Sequence, residues 1–334
     1  MSRQTRPLRT YSHLEKNRKV PSEYEIATSR LLYYVERGFE VDVPVGPFYA
    51  RHQRGCPLRS PDWEAFADPR ETTYPLYTDL QAQKEIHLDA LLHSADTEGH
   101  AARLDETWRS RLVGVLGPAR FAWHGLQMIS AYLGHVAPSG RLTLVAMFQA
   151  ADQMRVVHGL SRWLAQFDPE PSAAPAALSA AARTSWQDDP AWQPLRRAVE
   201  LALVAYDWGE SFVALNLCLK PWMDALLFGE LSVLARERGD FFSAEILKSF
   251  ESDSRWHQEW AAALVDHLRQ TGRDNLGPDN LEYLQRKMTH WRPLAEAAAA
   301  GVASTFGERQ DAACAAVAQT VENWEKTRLG MRFS

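Results

Sequence analysis

The feature that most restricts the fold of this 334-residue chain is a helical pattern that runs almost without interruption from Leu76 onward. Ala, Leu, Glu, Gln and Arg dominate this region, and the alternating β-branched runs that are typical of strands are nearly absent. Between Arg141 and Gln166 apolar residues recur at spacings of three and four, which places one broad stripe on the buried face of a helix. We therefore predict an all-α fold, built as a bundle of long helices with almost no sheet.

Turn and stop signals divide this region into helices joined by short loops. The predicted helices are Leu76 to Leu92, Asp96 to Val115, Pro118 to Val136, Arg141 to Gln166, Ala191 to Ala205, Trp208 to Arg238, Phe241 to Gln270, Asp279 to Gly301 and Glu308 to Lys326. The composition of the Ala/Ser/Pro-rich stretch 170–190 is typical of a solvent-exposed segment that connects two helices. Lys220-Pro221 should kink or loosen its helix, because proline removes a backbone hydrogen bond.

The first 75 residues differ from the rest, because eight prolines punctuate them and disfavour long helices. Large apolar side chains such as Leu31, Tyr33 and Phe39 nevertheless need a surface to be buried against. An arm laid along a partner protein, or an arm folded back over its own core, would satisfy both facts. We assign 1–75 to this extended N-terminal arm and 76–334 to a helical domain without a metal site. The predicted partner contacts in the arm are Arg9, Tyr11, His13, Leu14 and Tyr24.

Composition excludes several classes of function. A net charge of −5 does not indicate a nucleic-acid-binding protein. The 46% apolar and 24% charged content is that of a soluble globular protein. Three cysteines lie far apart without a CxxC pair, so neither a disulfide framework nor a thiolate metal site is indicated. No leader peptide or membrane span is apparent, and we expect a cytoplasmic protein whose partner is another protein or a small molecule.

Long antiparallel helices suggest a carboxylate-bridged di-iron site, which requires two Glu-x-x-His pairs because positions i and i+3 share a helix face. Eleven histidines occur, and none has Glu or Asp three residues before it. The usual two-motif site is therefore excluded. No GxSxG elbow, P-loop, GxGxxG or HExxH motif supports another chemistry.

Two pentads, Asp152–Val156 and Asp253–His257, nevertheless have the outline of that motif with its ligands altered. Gln153 and Val156 stand at the Glu and His positions of the first pentad, and Ser254 stands at the Glu position of the second. Only His257 remains as a possible ligand. Chance is the plain alternative, because Asp-x-x-Arg fragments are common on solvated helix faces. Neutral Gln and Ser would suit a bundle without metal, since unpaired buried carboxylates are costly.

The chain resembles the β subunit of bacterial multicomponent monooxygenase hydroxylases, above all those of toluene and related aromatic or alkene monooxygenases. The resemblance covers most of the sequence. The segments that carry it are RTYSHLEKNRKVPSEYEI at Arg9 to Ile26, PDWEAFADPRETTYPLY at Pro61 to Tyr77, YDWGESFVALNLCLKP at Tyr206 to Pro221 and WRPLA at Trp291 to Ala295.

The resemblance implies a ferritin-like subunit without metal or other cofactor, in an assembly of alpha, beta and gamma subunits duplicated into a dimer. In that family the alpha subunit houses the di-iron centre and the N-terminal arm of beta reaches over alpha. A reductase, a Rieske-type ferredoxin and a small effector protein complete the system. The implied reaction inserts one oxygen atom from O₂ into an aromatic or alkene hydrocarbon with NAD(P)H as reductant. We expect this chain to brace alpha and to take no direct chemical part.

Other assignments remain open from the sequence. The chain could be the β subunit of a phenol-, propane- or methane-type hydroxylase, although the block at Tyr206 to Pro221 favours the toluene-type group. A stand-alone helical metalloenzyme around His257, Asp253 and Glu251, or a stand-alone binding bundle, would belong to different classes. The hydrocarbon that is oxidised would be selected by alpha.

Overall fold

A computed structural model describes residues 45–167, 175–270 and 277–333. The helices are α1 (Val45–Tyr49), α2 (Tyr74–Thr97), α3 (His100–Arg103), α4 (Glu106–His135), α5 (Gly140–Ala165), α6 (Pro175–Asp188), α7 (Gln193–Leu203), α8 (Trp208–Glu237), α9 (Phe241–Gln270), α10 (Gly277–Ala303) and α11 (Gln310–Thr327). No strand occurs within these ranges. The prediction of an all-α fold with long helices is confirmed. The five predicted arm contacts Arg9, Tyr11, His13, Leu14 and Tyr24 lie outside the described residues.

Two compact units are distinguished, Met1–Ala50 and Arg51–Ser334. In the first unit the described part is α1, where Phe48 and Tyr49 meet edge to face. In the second unit the irregular segment before α2 packs on the helices, since Asn280 Oδ1 accepts a hydrogen bond from the Arg59 amide at 2.9 Å and Trp63 lies against Trp208. The predicted boundary after residue 75 stays a prediction.

Helix α8 forms the centre of the second unit. Every residue from Ser211 to Asp224 is buried, because α9, α10 and α11 surround the helix. By length and composition α8 could cross a membrane, with a mean hydropathy of 1.3, but 89% of that window is buried inside the fold. A helix that is apolar on all sides is also what the core of a large bundle requires.

The predicted loosening at Lys220-Pro221 takes the form of two π-helical stretches that flank it, Val213–Leu219 and Ala225–Glu230. Proline has no N–H to donate to the preceding turn, and the wider π-helical turns accommodate that loss without ending the helix. The inward face of α8 therefore keeps its polar residues Asn216, Lys220 and Asp224 within the core.

The predicted break at Gly117-Pro118 is wrong, because α4 continues through it from Glu106 to His135. Pro118 forfeits one backbone hydrogen bond, but its turn is fully packed and Gly117 lies directly against Ala182 of α6. Helix α2 ends at Thr97, beyond the predicted end at Leu92, and Gly99 with a φ of +60° precedes the short helix α3.

The predicted solvent-exposed segment at 170–190 contains a helix, α6, that packs against α4. Phe121 and Trp186 stack there with ring centroids 6.4 Å apart. The low sequence hydrophobicity of this stretch concealed the helix, because its described contacts rest on the small buried Ala182 and the half-buried Trp186. Helices α4 and α5 make the most extensive helix pair, an antiparallel hairpin.

Glycine substitutions in α4 test this packing. A Cβ at Gly125 would lie 2.4 Å from Val199 Cγ1 of α7, whereas a Cβ at Gly114 meets nothing within 4 Å. We expect Gly125→Ala to lower the free energy of unfolding by about 1–3 kcal/mol through overpacking. Gly114→Ala should raise it by about 0.5–1 kcal/mol through helix propensity. Urea denaturation measures both, and stabilisation by both variants would contradict the α4–α7 contact.

Candidate functional site

The two pentads face each other in the core, from helices whose sequence positions lie about a hundred residues apart. His257 Nε2 of α9 lies 2.9 Å from Asp152 Oδ2 of α5. In the reciprocal pair, Arg155 of α5 donates to Asp253 Oδ2 of α9 at 3.0 Å. All four side chains are buried, with exposed fractions of 1–8%. The alternative that both pentads form solvated faces is therefore wrong for these four residues.

Helix α2 completes the pairing, and sequence reasoning missed its contribution. Tyr77 and Gln81 donate to Asp152 Oδ1 at 2.7 and 2.6 Å, and Lys84 pairs with Asp253. Arg155 also donates to Glu85 at 2.7 Å. The spacing of positions 77, 81 and 84 places three polar residues on one helix face, a signal that could have been found.

A second layer of buried polar groups adjoins this one. Ser130 of α4 donates to Gln153 Oε1 at 2.7 Å and accepts from Gln149 Nε2 at 3.1 Å. Gln149 also donates to Asn216 of α8 at 2.7 Å and accepts from the Trp260 indole of α9 at 2.9 Å. Gln153, at a predicted metal-ligand position, is therefore part of a neutral amide–hydroxyl chain linking four helices. We call the two layers together the core polar network.

The remaining positions of the two pentads lie in the core. Val156 and Ser254 are buried at 4% exposure. Glu251, predicted as a possible ligand beside His257 and Asp253, instead pairs with Lys248 and Arg255 towards the surface.

The charges of the core polar network balance without a metal ion. Asp152 and Asp253 are matched by Lys84 and Arg155, and on α8 the Lys220 ammonium lies 2.9 Å from Asp224, both side chains at most 4% exposed. A di-iron pair would need several more carboxylate and imidazole ligands, and it would be repelled by these three cations. Among residues 45–167, 175–270 and 277–333 no group of three or more His, Cys, Asp or Glu side chains could hold a metal. The residues present therefore do not fit a di-iron centre.

The protonation states follow from burial. Desolvation raises the pKa of Asp152 to about 6, although Tyr77, Lys84 and Arg155 oppose the shift. Desolvation likewise lowers the pKa of His257 well below its usual value, with the Lys220 charge acting in the same direction. A neutral imidazole donates from Nε2 to Asp152, and the unpartnered, buried Nδ1 is then a bare acceptor rather than an orphaned N–H. The arrangement can hold the helices in register.

Comparison with known proteins places these observations in a wider context. The sequence profile of the Methane/Phenol/Alkene Hydroxylase family matches residues 46–271. The chain is 32% identical over 302 residues to the beta subunit of the hydroxylase component of the toluene-4-monooxygenase system of Ectopseudomonas mendocina, covering 88% of this chain and 89% of that one.

Two further relatives are more distant. An oxygenase component of phenol 2-monooxygenase from Pseudomonas sp. strain CF600 is 26% identical, with 71% and 69% of the two chains covered. The small hydroxylase subunit of propane 2-monooxygenase from Gordonia sp. strain TY-5 is 25% identical, with 76% and 68% covered.

Among solved structures, a chain of toluene 4-monooxygenase with toluene bound in its resting active site superimposes with a TM-score of 0.73 at 30% identity, covering 91% of this chain and 99% of that one. A chain of xenon-pressurised phenol hydroxylase from Pseudomonas sp. OX1 shares the fold with a TM-score of 0.72 at 21% identity. The ferritin-like bundle expected from the sequence is confirmed by these likenesses.

Arginine substitutions on α5 test the energetic weight of the core polar network. Arg155→Met leaves Asp253 and Glu85 short of a cation in a buried site, and we expect it to lower the free energy of unfolding by about 3–5 kcal/mol. Arg162→Met is the matched control, because Arg162 also pairs with α2 at 2.5 Å but is 46% exposed. Its cost should stay below about 1 kcal/mol. Equal costs in chemical denaturation would refute the special role of the buried pair.

Asp152→Asn tests the electrostatics of the same network. Because the folded pKa of Asp152 is about 6, above its ordinary value of 3.8, this carboxyl group contributes stability that is present at low pH and lost as the pH rises through 6. Relative to Asp152→Asn, the wild type should lose as much as about 3 kcal/mol between pH 4 and pH 7. Urea titrations across this range measure the difference, and parallel curves for the two proteins would contradict the raised pKa.

Proposed function

The chain belongs to the Methane/Phenol/Alkene Hydroxylase family, and we propose that it is the non-catalytic beta subunit of a hydroxylase whose oxygen chemistry takes place on a partner subunit. Its relatives are hydroxylase components of toluene, phenol and propane monooxygenases, and it is accordingly a hydroxylase subunit of a multicomponent monooxygenase. The absence of catalysis in this chain is our inference.

The observation that carries the proposal is the core polar network. At the positions where a metal-binding bundle would place ligands, this chain has Gln153, Val156 and Ser254, and Lys84, Arg155 and Lys220 supply positive charge among the buried carboxylates. The buried carboxylates are thereby paired with cations of the chain itself and are not left free to bind a metal ion. The chain thus keeps the bundle and lacks the means of oxygen activation.

We propose that the catalytic partner is an alpha subunit that holds a di-iron centre, in an assembly of alpha, beta and gamma subunits duplicated into a dimer. An NAD(P)H-dependent reductase, a Rieske-type ferredoxin and an effector protein would complete this cytoplasmic system. The reaction would insert one oxygen atom from O₂ into an aromatic or alkene hydrocarbon. The toluene-type group is favoured over the phenol and propane types, because the 32% identity to the toluene-4-monooxygenase subunit extends over 88% of the chain.

The contribution of this chain would be mechanical. Catalytic metal ligands must be held within about 0.5 Å of their productive geometry, which requires a rigid outer shell of packed helices. The core polar network ties α2, α4, α5, α8 and α9 together by hydrogen bonds between side chains that are distant in sequence. Such a bundle can support a neighbouring subunit without deforming.

Metal analysis tests the proposal. The chain purified alone should contain far less than stoichiometric iron, and a chelator should leave its melting temperature unchanged, because no metal contributes to its folding. In the hydroxylase reconstituted with the larger subunit, the same chelator should abolish activity. Stoichiometric iron in the isolated chain, together with a lower melting temperature after chelation, would establish this subunit as a metalloprotein instead.

A further inference from the structure

The outer face of the α4–α5 hairpin has no formal charge, in a chain of which 24% of the residues are charged. The stretch Phe121 to Gly140 contains no Asp, Glu, Lys or Arg. Between Leu142 and Ser161 the charged residues are Asp152 and Arg155, and both are turned inward into the core polar network. Solubility normally demands charges on an exposed helix face, and their absence over two adjacent helices therefore indicates a surface that is covered in the working protein.

This face also exposes large apolar side chains. Met128 and Leu144 are each 40% exposed and Met147 is 46% exposed. Met147 lies in the groove between the two helices, since a Cβ at Gly134 would be 3.2 Å from its side chain. Methionine is enriched in interface cores, because its flexible thioether adapts to the opposing surface. We call the exposed residues of Phe121–Gly140 and Leu142–Ser161 the hairpin face.

The hairpin face has the size of an interface. Its α5 stretch is about 30 Å long at 1.5 Å per residue, and two helices side by side are about 20 Å wide. The resulting area is roughly 600 Å² on this chain, close to the ~800 Å² that each partner contributes to a standard stable interface. On the α7 side the face is bordered by Tyr206, whose backbone carbonyl accepts a hydrogen bond from Tyr132 at 2.5 Å. Tyr206 is 46% exposed and extends the apolar surface.

We propose that the hairpin face is the surface on which this chain holds the larger, catalytic subunit of its hydroxylase, through an equally uncharged helical face on that subunit. The inference rests on the proposed function, which requires one permanent partner. A charge-free surface fits such a partner, because obligate interfaces resemble a divided hydrophobic core, whereas transient ones keep charged groups for steering. Small residues such as Ala131 and Ala151 let the opposing helices approach closely.

The test is co-purification of the full chain with the larger hydroxylase subunit after the two are co-expressed. Met147→Lys places an ammonium group in the middle of the face and should weaken association by on the order of a hundredfold, because the charge must be desolvated without a partner. Val233→Lys is the matched control, since Val233 on α8 is 41% exposed and outside the face. Val233→Lys and the conservative Met147→Leu should assemble as the wild type does. Leu144→Lys is a second disruptive variant, and circular dichroism of each isolated chain verifies folding.

The outcomes separate the two proposals. If the wild type does not co-purify with the larger subunit, both the proposed function and the assignment of the hairpin face as its binding surface are refuted. If the wild type co-purifies and both lysine variants do so equally well, the function stands and this assignment is overturned. Loss of self-association alone in the lysine variants would make a second copy the occupant. Hydrogen exchange of the helical amides in 121–135 and 142–158 should slow further when the complex forms, and unchanged exchange there in a complex that does form would contradict this assignment.

Discussion

The reciprocal pairing of α5 and α9 is the interaction on which the rest of the bundle depends. His257 bonds Asp152, and Arg155 bonds Asp253. Each helix thus supplies one carboxylate and receives one donor, so neither can slide or rotate without leaving a buried charge unpaired. An unpaired buried charge costs several kcal/mol, which is a large part of the stability of a domain. The pairing therefore fixes the register of the two helices more strictly than apolar packing would.

Positive charge is the second requirement of this core. Helix α2 brings Lys84 to Asp253, and α8 holds Lys220 beside Asp224, with both of these α8 side chains buried. A ferritin-like bundle that binds metal neutralises its carboxylates with cations from solution. Here ammonium and guanidinium groups on the chain itself do so, and we therefore expect folding to be independent of metal supply.

Under the proposed function, this chain acts through its surface and not through a reactive centre in its interior. A bundle whose centre is closed by its own side chains can act through rigidity and through its outer faces. The hairpin formed by α4 and α5 connects the two, because α5 carries the core polar network on its inward side and Leu144, Met147 and Ala151 on its outward side. A partner packed on this face would contact a helix whose position is fixed by the core polar network on its inward side.

Local pattern determined most of the architecture. The periodicity of apolar residues identified the long helices, and the absence of any Glu-x-x-His pair was by itself enough to exclude the usual di-iron site. The two altered pentads were recognisable because the spacing of i and i+3 is a property of a single helix. The blocks around Tyr206 to Pro221 and Trp291 to Ala295 pointed to the family that the comparisons then confirmed.

Only the tertiary structure decided which polar groups meet. Asp152 and His257 are about a hundred residues apart, and no local pattern states that one bonds the other or that Tyr77, Gln81 and Lys84 join them. The continuity of α4 through Pro118 was equally hidden, because the loss of one hydrogen bond is outweighed by burial of the surrounding turn against α6. Sequence periodicity reports which face of a helix is buried. The identity of the opposing face is a non-local choice, fixed by complementary charge and volume across the whole core.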